Sequence, residues 1–281
     1  MIISLPILIG GLWWFSPQRI IWQTRRELVQ LSGKVSDEAA YRAATVLARD
    51  GQLNKALTIS QQDIQYSYYK ASALTEIAGI YIQLGNNTKG LKLLSQATVS
   101  TEIINDSTKN NLALMSIAYI ITKLDDSTEG LKLLSQATAS AEIIDNLSDK
   151  ASALRSVALA SIQLEDDTEG VKLLSQAVSM ANTINNSYNK ASALTAIAEV
   201  IGKLDDDTEG MKLLSQALSL AERIDDLLPK ESELIAIDDI VETQAKSDNW
   251  KNANHAIEFC TSDECRVESL TRMLTVWRQY Y

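Results

Sequence analysis

The sequence predicts an all-α protein: an α-solenoid of stacked antiparallel helix pairs. Three observations carry that prediction. A ten-residue phrase recurs as TKGLKLLSQA from Thr88, TEGLKLLSQA from Thr128, TEGVKLLSQA from Thr168 and TEGMKLLSQA from Thr208, each copy starting 40 residues after the last. The 281-residue chain holds only 3 Pro, 11 Gly and 6% aromatic residues, which suits helices with a core of small and branched aliphatic side chains. Its apolar residues fall at helical spacing rather than in strict alternation. A fixed period of this kind marks a repeat architecture, in which each unit buries its apolar face only against its neighbours.

Aligning the chain on that phrase aligns a second segment ahead of it. KASALTEIAGIYIQLG from Lys70, NNLALMSIAYIITKLD from Asn110, KASALRSVALASIQLE from Lys150 and KASALTAIAEVIGKLD from Lys190 are one unit, the second copy drifted. Leu74, Ile77, Ala78 and Tyr81 form an i, i+3, i+4, i+7 stripe, as do Leu114, Ile117, Ala118 and Ile121, so each unit opens with a helix burying one face. A second helix carries Leu91, Leu94 and Ala97 and continues to Ile103 and Ile104. Between the two, Asp126 precedes Glu129 by three residues, and Asp166 with Glu169 and Asp206 with Glu209 repeat the spacing. This is the capping-box pattern, in which side chains tie down the orphaned N–H groups of a helix start. Calcium is the alternative use for such acidic clusters, but the alternating ligands, turn glycine and distal Glu of a calcium loop are missing. Gly90, Gly130, Gly170 and Gly210 lie just inside the second helix, where Gly costs about 1 kcal/mol relative to Ala. Their recurrence predicts close approach of the partner helix at Ala78, Ala118, Ala158 and Ala198.

The ends of the chain differ from its middle. Residues 1–18 carry no charged side chain, and Trp13, Trp14 and Trp22 gather at the far end of that run. Residues 1–22 are therefore read as a hydrophobic segment and candidate membrane anchor, the alternative being a buried or interfacial helix. Arg19, Arg25 and Arg26 follow the run, which would leave the repeat domain cytoplasmic; export or a soluble chain is the alternative. Residues 23–35 form a linker or first helix, and residues 36–281 the repeat domain. In the last unit a strict register would bury Asp238, an expensive place for an unpaired charge. A shift of three residues puts Ile237, Ile240 and Val241 on the core face instead, with Ala253 and Ile257 following. Residues 266–281 read as a capping helix.

The spacing resembles that of the tetratricopeptide repeat (TPR) family. From Leu74, the family's slots fall on Ile77, Ala78, Tyr81, Gly85, Gly90, Leu94 and Ala97. The units from Leu114, Leu154 and Leu194 keep the spacing but lose the aromatic (Ile121, Ser161, Ile201) and the glycine at eleven (Asp125, Glu165, Asp205). The resemblance spans residues 36–281. It implies a right-handed superhelix whose concave surface holds a protein or peptide partner, lined by Thr75, Met115, Arg155, Thr195 and Ile235 and, one turn on, Gly79, Tyr119, Leu159, Glu199 and Asp239.

Other functions find little support. The net charge of −10 argues against nucleic acid, which selects a basic patch. One His and two Cys are too few for most zinc sites, no glycine-rich phosphate loop is present, and no cofactor is expected. His255 and Cys260 are five residues apart without a third orienting group, a weak case for a thiol enzyme. Cys260 and Cys265 could bridge if the protein is exported. The expectation is a non-catalytic scaffold for protein–protein interaction, with a regulatory or sensor module of a larger system as the alternative. The repeated Lys-Ser-Gln of the phrase has no core role and is either an undrifted duplication or a ladder of contacts.

Overall fold

The computed structural model describes residues 17–124, 127–204, 207–222, 231–246, 249–260 and 263–280. Among these residues the chain forms fourteen helices and no strand. The expected anchor lies mostly outside them; no helix among the described residues is long and apolar enough to cross a membrane. Two compact units divide the chain, residues 1–100 and 101–281, within what the sequence reading treats as one repeat domain.

The first unit contains α1 (Pro17–Ser32), α2 (Asp37–Arg49), α3 (Leu53–Gln62), α4 (Ser67–Gln83) and α5 (Asn87–Thr101), which ends at the boundary. The predicted linker or first helix, 23–35, falls largely in α1, which packs on α2 and α3. Arg25 ties α1 to Asp50 at the end of α2, and their hydrogen bond holds the Asp50 carboxyl below its ordinary range.

The second unit contains α6 (Ser107–Ile121) with α7 (Ser127–Glu142), α8 (Leu147–Gln163) with α9 (Asp167–Thr183), α10 (Ser187–Ile201) with α11 (Asp207–Glu222), then α12 (Glu231–Lys246), α13 (Trp250–Ile257) and α14 (Asp263–Tyr280). First helices pack on first helices, α6 on α8, α8 on α10 and α10 on α12, while α9 packs on α11 and α11 on α13. Two layers result. Between them lie the predicted stripes: Leu114, Ile117, Ala118 and Ile121, then Leu154, Val157, Ala158 and Ser161, then Leu194, Ile197, Ala198 and Ile201, all buried.

The second helices are shorter than expected. The chain leaves α5 at Thr101, so Ile103 stands exposed and Ile104 turns inward. Ile144 and Ile184 are buried at the same point of the next two units, one apolar plug per turn. The core of α5 is Leu93, Leu94 and Ala97; Leu91 is only half-buried.

The caps form by half of the expected mechanism. The Asp166 side chain accepts from the backbone N–H of Glu169 at 3.1 Å, and Asn86, Asp106, Asn146 and Asn186 cap their helices in the same way. The Glu169 carboxylate, however, turns to Lys172 Nζ at 3.0 Å instead of reaching back to the cap. The Lys of the repeated phrase thereby finds its partner: Lys132 and Lys212 pair with Glu129 and Glu209. Asp126 and Asp206 lie outside the described residues.

The units alternate. Helices α4 and α8 have 17 residues, α6 and α10 have 15. The long helices end on a left-handed residue, Gly85 at φ 74° and Glu165 at φ 64°. The next N–H reaches back to a helical carbonyl, Asn86 to Tyr81 and Asp166 to Ser161, at 2.8 and 2.9 Å, the pattern of a Schellman close. Loss of glycine at position eleven thus leaves the left-handed turn in place at Glu165. In the short helices Leu124 and Leu204 close on Ile121 and Ile201 at 3.1 Å. The sequence carries the same alternation, IQL at 82–84 and 162–164 against TKL at 122–124 and GKL at 202–204. The underlying unit is a quartet of helices in 80 residues.

The repeated glycines follow suit. A Cβ on Gly90 or Gly170 would sit 2.5 Å from Cγ1 of Ile82 or Ile162, and 3.2 or 3.4 Å from the carbonyl oxygen of Ala78 or Ala158. The expected approach to Ala78 and Ala158 is present, but the tighter neighbour is the isoleucine one turn on. Gly130 faces Leu164 of the next pair at 2.8 Å rather than Ala118, and Gly210 meets nothing closer than 3.6 Å.

The last unit takes the shifted register, with Ile237, Ile240, Val241, Ala253 and Ile257 buried. Buried Gln244 donates to the Ala198 carbonyl and accepts from Asn252 at 3.3 Å, locking α12 to α10 and α13. The predicted capping helix corresponds to α14, which packs on α12 and α13 and pairs Arg272 with Glu242 at 3.0 Å.

Two stability measurements follow from the alternation. Glu165→Gly relieves a left-handed L-residue and should raise the free energy of unfolding by about 0.5–1 kcal/mol, read as a rise in the urea midpoint at constant slope. Gly170→Ala should cost about 1–3 kcal/mol by overpacking, whereas Gly210→Ala should gain up to about 1 kcal/mol of helix propensity; equal effects at the two sites would contradict the packing described.

Candidate protein-binding face

Successive first helices of the second unit lie side by side, so the flank each turns away from the core belongs to one continuous face. On α6, Leu112 and Tyr119 are 45% and 62% exposed, large apolar groups where a surface helix would ordinarily be polar. Lys123 Nζ lies 4.8 Å from the Tyr119 ring centroid. Met115 is half-buried, with its sulfur 4.0 Å from Ser152 Oγ. Leu159 on α8 and Thr195 on α10 are half-buried, and Glu199 and Asp239 are exposed. Ile235 lies on α12, its side chain outside those described. Thr75 and Gly79 belong to the first unit, where α4 packs against α2; both are buried, and the Thr75 hydroxyl donates to the Ala71 carbonyl at 2.8 Å.

Arg155 occupies the most unusual place. It faces a cavity of about 180 Å³ lined by Asn111 of α6, Ser148 and Ser152 of α8, and Ser192 and Ala196 of α10. Short side chains from three helices leave the space open. The Arg155 Nε is buried and, among the described residues, has no hydrogen-bond partner. Burial pushes the guanidinium below its ordinary value, and nearby Glu199 only partly offsets this. Glu199 itself reaches Lys203 at 3.9 Å. Asn111, buried in the same wall, has an unpartnered Oδ1. Asn111 is a residue the sequence reading missed; the signal was present, since Asn stands there in place of the Ala of KASAL at Ala71, Ala151 and Ala191.

The thiol-enzyme alternative meets a different arrangement. Cys260 and Cys265 are joined in a disulfide, Cα–Cα 5.5 Å, so Cys260 offers no thiolate. The His255 ring is engaged on both sides, Nε2 at 2.8 Å from Ser215 Oγ and Nδ1 at 3.0 Å from Glu258 Oε2. This Ser–His–Glu line serves packing between α11 and α13. Ser215 lies inside α11 and donates to the Met211 carbonyl at 2.8 Å, where the neighbouring backbone N–H groups are engaged in the helix. It also gives the Ser of the repeated phrase a contact in one copy. Among the described residues no cluster of three or more His, Cys, Asp or Glu could hold a metal.

Stacked helix pairs with small and large residues in fixed slots define an α-helical repeat protein of TPR-like construction. No protein-family model matches the chain, and no curated protein is detectably similar to it in sequence. Among solved structures it is similar to Ton1535 from Thermococcus onnurineus NA1, at 14% identity and TM-score 0.46 over 85% of this chain and 82% of that one. It is also similar to a putative kinesin light chain with nearly identical TPR-like repeats from Podosopora anserina, at 16% identity and TM-score 0.42 over 77% and 98% of the two chains. A signal-transduction ATPase with numerous domains from Pyrococcus horikoshii, which has a tetratricopeptide repeat sensor, aligns at 18% identity and TM-score 0.39 over 94% of this chain and 43% of its own.

A partly desolvated cation whose burial Glu199 offsets only in part weakens the free fold. Arg155→Met should therefore raise the unfolding free energy, by about 1 kcal/mol, as measured by urea denaturation in the absence of any ligand. A loss of stability would show that Arg155 is compensated in the free chain.

Proposed function

We propose that the chain is a non-catalytic scaffold whose partner, a protein or peptide, lies along the face formed by α6, α8 and α10. One observation carries this reading: departures from the repeat gather on that face. Tyr119 and Leu112 are exposed there, and Arg155 stands where Thr75 and Thr195 occupy the same slot. Exposed aromatics and arginines are the residues that anchor interfaces. The opposite layer is built from the nearly invariant phrase, and its Lys, Ser and Gln are in part committed to contacts within the chain.

A photo-activated cross-linking residue placed at Tyr119 in the full chain, against one at Ser175 on α9, tests the choice of face. The partner should be captured through position 119 and not through 175. Capture through 175 alone would move the interface to the second helices.

A further inference from the structure

The last helix of the stack is apolar on two sides. A solenoid ends in a cap that keeps a polar outer face, and α14 takes the cap position, packed on α12 and α13. Its inner face carries Cys265, Ser269 and Val276, all buried. On its outer side Val267 and Leu270 are 61% and 39% exposed, where a cap should be polar. The sequence continues their spacing to Leu274 and Trp277, so the four positions step by three, four and three residues along one side of the helix. This is the a and d spacing of a two-heptad seam between helices. One apolar row of α14 serves the stack, and the described residues leave Val267 and Leu270 of the other uncovered.

We propose that this outer row is a dimer interface, in which α14 of a second copy of the chain lies antiparallel across it. The spacing of the row is self-complementary: three, four, three reads the same in both directions. A two-fold axis level with Arg272 therefore sets Val267 opposite Trp277 and Leu270 opposite Leu274, a small residue against a large one at each end and leucines at the centre. The charges choose the direction. Glu264 and Arg278 hold the same flanking position two heptads apart, and antiparallel pairing brings each Glu264 beside Arg278 of the other copy, twice per dimer. Parallel pairing would set Arg266 beside Thr271 and Met273 beside Arg278, with no opposite charges. Antiparallel helices also place the positive end of one dipole against the negative end of the other. The 18 residues of α14 are long enough for two heptads and little more, so the dimer is weak and depends on concentration. It stands or falls independently of the face on α6, α8 and α10. Where both hold, each dimer presents two such faces, and a divalent partner gains avidity.

Sedimentation velocity on the full chain, run over a concentration series, tests this. A dimer is expected by about 100 micromolar, the range of a weak specific association. Val267→Lys and Leu270→Glu should each weaken it about tenfold or more, with the urea midpoint of unfolding unchanged because both positions are exposed. Glu264→Arg and Arg278→Glu should each weaken it through like-charge contacts, and the two together should restore it; that rescue reads the interface even where a row substitution loosens α14. The direction is read with a photo-activated benzophenone residue in place of Val267, in a mixture of nitrogen-14 and nitrogen-15 protein. Cross-links of mixed isotope should join that position to the neighbourhood of Trp277. A monomer throughout the series, or a dimer that survives both row substitutions, overturns the proposal. Mixed-isotope cross-links to the neighbourhood of position 267 instead, or a double charge exchange that fails to restore the dimer, overturn the antiparallel arrangement.

Discussion

Everything in this chain depends on an apolar stripe that no helix pair can cover by itself. The buried Leu, Ile and Ala positions of a first helix need the second helix on one side and the next first helix on the other. Repetition is therefore a packing requirement: the same stripe presented every 40 residues is satisfied by the same stripe. Its corollary is a division of labour between layers. Residues that meet the next unit are held to a narrow set of sizes, while those turned away from the core can vary without cost to the stack, and any activity has to be written there.

The stack is not uniform. A close on a left-handed residue at Gly85 and Glu165 alternates with a tighter close at Leu124 and Leu204, and the contact of Gly90 and Gly170 with their own partner helix gives way to Leu164 of the next pair at Gly130 and to looser geometry at Gly210. The left-handed Glu165 lies just past the end of α8, the helix that carries the half-buried Arg155. Local costs of this kind persist where surrounding packing over-determines them, and here Val157 and Ala158 are fully buried between them in sequence. The cost at Glu165 has a local backbone cause, whereas Arg155 Nε has no hydrogen-bond partner among the described residues and nearby Glu199 offsets the burial of its charge only in part.

Most of the fold was legible because its signal is periodic and repeated. Leu, Ile and Ala at i, i+3, i+4 and i+7 identified the first helices, and the cost of burying Asp238 was enough to find the three-residue shift of the last unit. What escaped depends on neighbours distant in sequence. Thr75 and Gly79 occupy the same slots as Met115 and Tyr119, yet the first two are buried, Met115 is half-buried and Tyr119 is exposed. The Gln244 link to the Ala198 carbonyl and the His255 contact with Ser215 join residues 46 and 40 apart, with no local pattern to announce them. The cap Glu was read as closing a box, yet Lys172, three residues on, competes for its carboxylate in the same turn. Arg155 was visible as a candidate lining residue, but its meaning required knowing that Ser152, Ser192 and Ala196 leave a space and that Asn111 opens into it.

On the reading proposed above, binding is written in the departures from the repeat, on the face of α6, α8 and α10. A crystal structure of the full chain with a bound partner peptide decides where the partner lies. The peptide should cross α6, α8 and α10 against Leu112 and Tyr119; a peptide seated on the second helices instead would rule that face out.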